Sequence, residues 1–255
     1  MTPLLKQLSP GKKIYFISDF HLGAPDYQSS REREKKIIRL LEQARKDAAA
    51  IYFLGDIFDF WFEYRYTIPK GYTRLLGKLA ELSDEGLPMA VFTGNHDMWM
   101  FGYFPQELNI AVFHKPQLLQ IGNKRLYIGH GDGLGPGDYV YKCLKWVFRN
   151  PFFQWIFSIV PPVIGMGIAN SWSRRSRKHN KDDKYYGEKE ALLIYSRKIQ
   201  EKEHHDFYVF GHRHMPLDLK VDEKSRYINL GDWINFYSYA VFDGENMELK
   251  YFEKE

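Results

Sequence analysis

The stretch AIYFLGDIFD, residues 50–59, changes abruptly from an apolar run to glycine and carboxylates. The run is short, rich in aliphatic and aromatic side chains, and does not alternate with polar residues, which is typical of a strand buried on both faces. Four other stretches repeat the pattern: KIYFISDFH at 13–21, MAVFTGNHD at 89–97, LYIGHGD at 126–132 and FYVFGHRH at 207–214. We therefore predict five buried strands, each ending in a polar cluster.

Helical patterns separate the first of these strands. Residues 31–49 place apolar side chains at helical spacing among many charges, and residues 72–82 do so with leucines. An alternation of strand and helix predicts an α/β fold, in which binding sites form beyond the carboxyl ends of the strands. Shorter segments and turn residues follow in the second half of the chain. The strands expected at 227–230, 237–242 and 247–252 predict a second, more antiparallel sheet.

The composition is that of a folded globular protein of 255 residues, with 44% hydrophobic and 27% charged residues. It excludes disorder, collagen and coiled coil as descriptions of the whole chain. A single cysteine, Cys143, excludes an internal disulfide and fits a reducing compartment. The first residues contain no apolar run of the secretory type. We therefore expect a cytoplasmic protein.

One segment differs in charge and spacing. His130 and His212 are 82 residues apart, and residues 139–184 carry nine bases against two acids, so the basic excess of the chain lies there. Residues 150–173 are 24 residues without a charge, long enough to span a membrane. However, Pro161-Pro162 interrupts this run and bases flank both of its ends, which argues against a span.

We interpret residues 136–204 as a helical cap inserted into a core of residues 1–135 and 205–255. Two or three short helices would hold an apolar face with basic flanks, which suits an anionic bilayer surface or acyl chains. The alternative is a helical lid that packs on the core and exposes nothing. Nucleic-acid binding is disfavoured, because the bases surround an apolar stretch and do not line a stacking groove. No feature indicates an obligate protein partner.

The polar residues after the five strands form a candidate metal site. They supply carboxylate, amide and imidazole groups without thiolate, which suits Mn²⁺, Fe²⁺ or Zn²⁺ and not a structural zinc site. Seven ligands are too many for one ion with open positions, and they are enough for two ions that share a carboxylate and clamp a phosphoryl group. Each piece alone is more often a turn or surface residue. The candidate ligands are Asp19, His21, Asp56, Asn95, His130, His212 and His214.

In this order, the blocks DFH, GDIFD, GNHD, GHGD and GHRH resemble those of the calcineurin-like metallophosphoesterases. The resemblance implies a fold of two stacked mixed sheets flanked by helices, and two divalent ions with a hydroxide between them that attacks phosphorus. Asp56 would bridge the two ions. The first ion would also take Asp19, His21 and His214, and the second would also take Asn95, His130 and His212.

His96 directly follows a candidate ligand and is the candidate catalytic residue. In the family, this histidine contacts the phosphate or protonates the leaving oxygen, and a general acid is typically worth about 10²–10⁴-fold in rate. Asp97 is the second catalytic candidate, because it is close enough in sequence to orient the imidazole. An equally good interpretation is that Asp97 only caps the following turn.

A narrower resemblance extends over most of the chain. The region 129–180 and the LGDW motif at 230–233 resemble the bacterial UDP-2,3-diacylglucosamine diphosphatases. That family cleaves the pyrophosphate of a nucleotide-linked glycolipid in lipid A synthesis, usually with Mn²⁺, giving UMP and 2,3-diacylglucosamine 1-phosphate. Together with the basic, apolar cap, this implies a peripheral enzyme at the inner face of the cytoplasmic membrane. Contacts to the nucleotide or the sugar phosphate would come from Asp138, Ser176, Asn180 and Lys184.

One position departs from that family, which typically has Arg where this chain has His96. A phosphate leaving group has a second pKa near 6, so it departs without an acid and a fixed cation suffices. A histidine also permits alkoxide leaving groups. The alternative function is therefore a metallophosphoesterase acting on another nucleotide or lipid-linked phosphoester, with the cap only as a lid. A non-catalytic interaction module is disfavoured, because no ligand position is missing.

Overall fold

The computed structural model describes residues 4–168, 171 and 184–253, in which two stacked sheets carry helices on their outer faces. This confirms the predicted α/β fold with two mixed sheets. The strands are β1 (Lys13–Ile17), β2 (Ala48–Phe53), β3 (Met89–Phe92), β4 (Ala111–Phe113), β5 (Gln117–Ile121), β6 (Lys124–Ile128), β7 (Phe207–Phe210), β8 (Pro216–Lys220), β9 (Arg226–Leu230), β10 (Ser238–Phe242) and β11 (Met247–Tyr251). The α-helices are α1 (Tyr27–Ala44), α2 (Thr73–Asp84), α3 (Tyr103–Glu107), α4 (Tyr139–Arg149), α5 (Pro151–Ile159), α6 (Pro162–Ile168) and α7 (Ala191–Gln200).

The first sheet has the strand order β11-β10-β1-β2-β3-β4. Strands β1 to β4 are parallel, whereas β10 and β11 extend the sheet beyond β1 as antiparallel strands. The assignment of residues 237–252 to the second sheet is therefore wrong: Ala240 of β10 pairs with Phe16 of β1. Because β10 is buried along its whole length, it needs an interior position, and the turn residues around it do not indicate which sheet provides one.

The second sheet has the strand order β5-β6-β7-β9-β8. Strands β6, β7 and β9 are parallel neighbours, and the two edge strands are antiparallel to them. Since the carboxyl ends of parallel neighbours lie at the same edge of a sheet, the loops after β6 and β7 meet there. This topology brings His130 close to His212 although 82 residues separate them in the sequence.

The main apolar layer lies between the two sheets and takes side chains from both. Phe16, Tyr52 and Phe92 of the first sheet pack there with Ile128 and Val209 of the second. A second layer joins the outer face of the first sheet to α1 and α2, and a third joins the outer face of the second sheet to α7. Helix α7 belongs to the sequence range predicted as cap, yet its leucines pack on the second sheet.

Helices α1 and α2 form for reasons visible in their sequences. Asp26 caps α1 by accepting the backbone N–H of Ser29 at 2.9 Å. The carboxylate of Glu34 on α1 accepts the backbone N–H groups of Arg74 and Leu75. Glu34 thereby satisfies two of the donors left open at the start of α2, and it fixes the two helices to each other.

Helices α4, α5 and α6 lie between β6 and β7 and are called the insertion below. Phe157 of α5 packs against Phe62 and Trp99, with ring centroids 4.8 and 5.0 Å away, which attaches the insertion to the core. Among the described residues, no single helix has the length and apolar composition to cross a membrane. Helices α5 and α6 meet those criteria only as a pair bent by 120°.

Candidate metal centre

The seven predicted ligands converge at the carboxyl ends of β1, β2, β3, β6 and β7, where the edges of the two sheets meet. One ligand atom each from Asp19, His21, Asp56 and His214 lies within 4.8 Å of the others. The Nε2 atoms of His21 and His214 are 3.0 Å apart, and His214 Nε2 is 3.3 Å from a carboxylate oxygen of Asp19. Four donors therefore surround one point.

The other predicted ligands form a second group beside the first. The side-chain oxygen of Asn95 lies 2.9 Å from Nδ1 of His212 and 3.2 Å from Nε2 of His130. His130 Nε2 is also 3.4 Å from Oδ2 of Asp56. The same Asp56 oxygen lies 3.6 Å from Nε2 of His21 in the first group. A single carboxylate oxygen thus faces both groups.

The hydrogen bonding of Asp56 tests whether the residues fit bound cations. Its Oδ1 accepts the backbone N–H of His96 at 2.9 Å. Its Oδ2 is buried and has no hydrogen-bond partner within the described part of the chain. An unpartnered buried carboxylate oxygen is costly, and a divalent ion would satisfy it. Nitrogen and oxygen donors without thiolate suit Mn²⁺, Fe²⁺ or Zn²⁺, so the residues fit two divalent ions that share Asp56.

The electrostatics of the group agree with a site made for cations. Burial alone would raise the pKa of Asp56, but the charges of His130 and His96 hold it well below its ordinary value. Burial alone would lower the pKa of His21, but its contacts with Asp19 and Asp59 raise it to about 10. The pKa of His130 is likewise raised to about 10, chiefly by Asp56, against the effect of burial. Protons therefore occupy the rings of His21 and His130 until cations displace them.

The backbone is strained at five of the seven positions, where φ is positive. The left-handed region is uncommon for residues other than glycine, and such strain clusters at functional sites. The φ values are 55° for Asp19, 44° for His21, 52° for Asp56, 67° for His212 and 54° for His214. Glycine has a separate role at Gly55, where a Cβ would lie 2.5 Å from Nδ1 of His130. The loops thus approach one another more closely than side chains would permit.

His96 lies at the edge of the centre with its ring perpendicular to that of His21, at a centroid distance of 4.8 Å. Its Nδ1 is 3.0 Å from the carbonyl oxygen of Asp59. A carbonyl can only accept, so Nδ1 carries the proton, and Nε2 carries one only when the ring is charged. Burial holds the pKa of His96 below its ordinary value.

Asp97 contacts the backbone of the loops. Its carboxylate accepts the N–H groups of Ile57 at 2.7 Å and of Gly94 at 2.8 Å, so it joins the loop after β2 to the loop after β3. The acid beside His96 is Asp59, whose Oδ1 lies 3.8 Å from Nδ1 of His96 and 3.7 Å from Nδ1 of His21. Sequence analysis missed Asp59 as a site residue, although it is the last residue of the GDIFD block.

Two of the four predicted substrate-binding residues, Asp138 and Lys184, belong to the described part of the chain. Asp138 is exposed immediately before α4, and its φ is 50°. Lys184 is exposed, with its ammonium 5.9 Å from the centre of the Tyr186 ring. Ser176 and Asn180 lie outside the described residues. Contacts of these four residues to substrate therefore stay a prediction.

Two buried carboxylates take part in ion pairs that join a metal loop to α4 and to the start of α7, and we call these contacts the anchoring ion pairs. Asp132, two residues after His130, accepts hydrogen bonds from Lys145 and Tyr141 of α4, each at 2.5 Å. Glu190, directly before α7, pairs with Arg213 at 3.0 Å. Arg213 stands between His212 and His214 in the sequence. Sequence analysis missed both pairs, because the folding of the loops decides which of the many charged residues meet.

Comparisons with known proteins agree with this geometry. A family model described as calcineurin-like phosphoesterase matches residues 12–216. A UDP-2,3-diacylglucosamine hydrolase of Porphyromonas gingivalis is 38% identical over 260 residues, covering 94% of this chain and 98% of that protein. A protein of the same name from Vibrio atlanticus is 26% identical, covering 93% and 96%. The solved structure of Yfce, a phosphoesterase from E. coli, is 17% identical with a TM-score of 0.47, covering 94% and 93%, which is too distant to add to the assignment.

Proposed function

Because the chain belongs to the calcineurin-like phosphoesterase family, we propose that it hydrolyses the pyrophosphate bond of UDP-2,3-diacylglucosamine. One water is consumed, the P–O–P bond breaks, and the products are UMP and 2,3-diacylglucosamine 1-phosphate, a step of lipid A synthesis. The observation that carries the proposal is the 38% identity to a hydrolase of that substrate, which extends over nearly the whole of both chains. The converging ligand groups support it.

The two ligand groups would hold two divalent ions, Mn²⁺ in this proposal, and Asp56 would contribute to both. Such ions would lower the pKa of a water and stabilise negative charge on the phosphoryl oxygens. The chain orients these ligands from outside: Asp59 lies beside His21, and Oδ2 of Asp232 lies 3.8 Å from Nδ1 of His214. Asp97 acts as a positioning residue that fixes the two loops carrying Asp56 and Asn95.

His96 is the catalytic residue of the chain itself. Asp59 fixes the ring by accepting from Nδ1, so Nε2 faces away from that carbonyl. In the charged form, Nε2–H donates a hydrogen bond to a phosphoryl oxygen or a proton to the leaving oxygen. With a phosphate as leaving group, the hydrogen bond alone suffices.

The insertion provides the lipid-facing surface. Large apolar side chains of its helices are exposed, among them Trp146, Trp155, Ile159 and Val163. Basic residues accompany them on α4, as at Lys142. Exposed apolar area beside positive charge suits acyl chains and an anionic membrane surface. The protein is thus peripheral at the inner face of the cytoplasmic membrane, with the nucleotide-linked glycolipid as its partner.

Product analysis by mass spectrometry tests the proposal. Purified protein is incubated with UDP-2,3-diacylglucosamine and Mn²⁺ in mild detergent, with EDTA and with the Asp56→Asn variant as controls. We expect UMP and diacylglucosamine 1-phosphate in equal amounts, and neither product in the controls. If the glycolipid stays intact while a simple phosphodiester is cleaved, the substrate is another phosphoester, and His96 points to an alkoxide leaving group.

A further inference from the structure

A cavity of about 380 Å³ lies beside the metal centre, between the ends of β3 and β4 and helix α4. His130 and Asp132 form part of its lining, so it shares a wall with the second ligand group. It does not involve the exposed apolar faces of α5 and α6. Its volume lies within the range of about 300–1,000 Å³ that is typical of small-molecule sites.

The lining combines aromatic rings with positive charge. Phe92 and Phe113 stack on each other in its wall, with ring centroids 5.2 Å apart, and Tyr127 adds a third ring. Three bases and one acid contribute to the lining. Lys145 is paired with that acid, Asp132. The positive charge beyond this pair comes from Lys115 and Arg149, so we call the cavity the Arg149 pocket.

Arg149 and His114 present defined polar groups at this pocket. The guanidinium of Arg149 donates to the carbonyl oxygen of His114 at 2.6 Å, which fixes its position. The ring of His114 lies 3.3 Å from the hydroxyl of Thr93. Partial burial and the Arg149 charge hold the pKa of His114 below its ordinary value, which favours the neutral ring, and a neutral imidazole offers both a donor and an acceptor.

We infer that the Arg149 pocket holds the nucleoside monophosphate half of the substrate, an inference that rests on the proposed function. Bases stack on aromatic side chains and on guanidinium planes, and the pocket supplies both. A uracil edge has donors and acceptors that the ring of His114 can meet. The shared wall at His130 lets a phosphate joined to the nucleoside reach the ligand groups. The lipid half then extends away from the pocket, toward the exposed apolar faces of α5 and α6.

Calorimetric titration of the Mn²⁺-loaded protein with UMP, ribose 5-phosphate and inorganic phosphate tests the inference without turnover. We expect UMP to bind at least tenfold more tightly than ribose 5-phosphate, because only UMP carries a base. Arg149→Met should remove most of this difference. Arg39→Met is the matched control, since Arg39 is an exposed arginine that pairs with Glu253, away from the pocket. Equal affinities for UMP and ribose 5-phosphate would overturn the inference and leave only a phosphate site.

Photo-crosslinking with 5-iodouridine monophosphate locates the base directly. We expect the modified peptide to contain residues 113–116 or Tyr127, and labelling confined to α5 or α6, which contribute nothing to the lining, would refute the assignment. These tests are independent of product analysis. If UMP binds here while the glycolipid stays intact, the proposed function fails and the nucleotide pocket stands. If the glycolipid is cleaved but UMP labels another surface, only the pocket assignment fails.

Discussion

Arg213 donates from Nε to the buried carboxylate of Glu190 over 3.0 Å, and this contact joins the loop of His212 and His214 to the segment before α7. Asp132 and Lys145 make the equivalent contact at the start of the insertion. Both ends of the region that carries the apolar helices are therefore fixed to loops that carry metal ligands. Displacement of one part should displace the other.

Removing the second anchoring ion pair should separate glycolipid binding from the chemistry. The double variant Arg213→Met/Glu190→Gln removes both charges of the pair, because a single replacement would leave the other charge buried and unpaired at a cost of about 3–5 kcal/mol. We expect KM for the glycolipid to rise about tenfold, with kcat within about threefold, since tenfold corresponds to about 1.4 kcal/mol of binding. Steady-state kinetics on the glycolipid and on a small chromogenic phosphodiester provide the measurement.

The exposed pair Arg197–Glu188 is the control for that variant. It joins α7 to the turn before it and does not contact a metal loop. Its double replacement by Met and Gln should change neither substrate's kinetics. A loss of kcat on both substrates in the Arg213 variant would instead show that the pair only positions the metal ligands and does not affect glycolipid binding.

Asp56→Asn should abolish turnover by at least about 10³-fold, because both ligand groups depend on its Oδ2. An amide keeps the shape but supplies no negative charge to share between cations. Metal content after dialysis, measured by plasma mass spectrometry, should fall below the two ions per chain that we expect for the wild-type protein. Asp218→Asn, which changes an exposed acid paired with Arg226, should retain both turnover and metal content. A variant at position 56 with a near-normal rate would rule out a shared carboxylate.

His96→Asn should affect substrates according to their leaving group. For an alkyl phosphodiester, loss of the proton donor should lower kcat about 10²–10⁴-fold. For the pyrophosphate bond, the loss should be much smaller, since phosphate departs without an acid. In the wild-type protein, the rate of alkyl phosphodiester cleavage should also decline with rising pH, because Nε2 of His96 carries a proton only in the charged ring. Equal losses on both substrates would mean that His96 only binds phosphate.

The apolar helices offer a test of membrane contact. Phe152→Ser/Trp155→Ser removes two exposed rings, so folding stability should change by less than about 0.5 kcal/mol. Co-sedimentation with phosphatidylglycerol-rich vesicles should nevertheless decrease several-fold. Phe157→Ser serves as a contrast, because that ring packs on Phe62 and Trp99 and its loss should cost about 3 kcal/mol. Unchanged vesicle binding in the double variant would indicate that these rings do not meet lipid.

Protons should be released when cations bind. The pKa values of His21 and His130 are raised to about 10 in the metal-free protein, so both rings are charged at pH 8 and about two protons should leave. These pKa values lie above the value of about 6.5 for histidine in the unfolded chain. The two charged rings therefore contribute their full stabilisation of the metal-free fold below about pH 6.5. It is lost as pH rises toward 10. Calorimetry in buffers of different ionisation enthalpy counts the protons, and a count of zero would contradict the charged rings.

The sequence predicted the seven candidate ligands because their positions follow from local pattern alone. An apolar run that ends in Asp, Asn or His defines a strand end, and parallel pairing brings such ends together. The choice between Asp97 and Asp59 as the acid beside His96 could not be made in the same way. Both are near in sequence, and only the folded loops show that Asp97 accepts backbone N–H groups while Asp59 faces two imidazoles.

Contacts between distant parts of the chain could not be predicted from the sequence for a related reason. Nothing local in β10 indicates that it pairs with β1, since an apolar strand fits the interior of either sheet. The pairing of Glu190 with Arg213 likewise depends on where α7 lies. The leucines of α7 resemble those of any amphipathic helix, and the second sheet decides their position.

The left-handed backbone conformation of five predicted metal ligands has a consequence for laboratory evolution. A strained φ costs about 1–3 kcal/mol at each such position, and glycine would relieve it at once. Selection for heat resistance without a screen for chemistry should therefore replace Asp19, His21, Asp56, His212 or His214 early. The most durable descendants would be inert. Part of the heat tolerance of this fold is therefore given up at the residues that its chemistry needs.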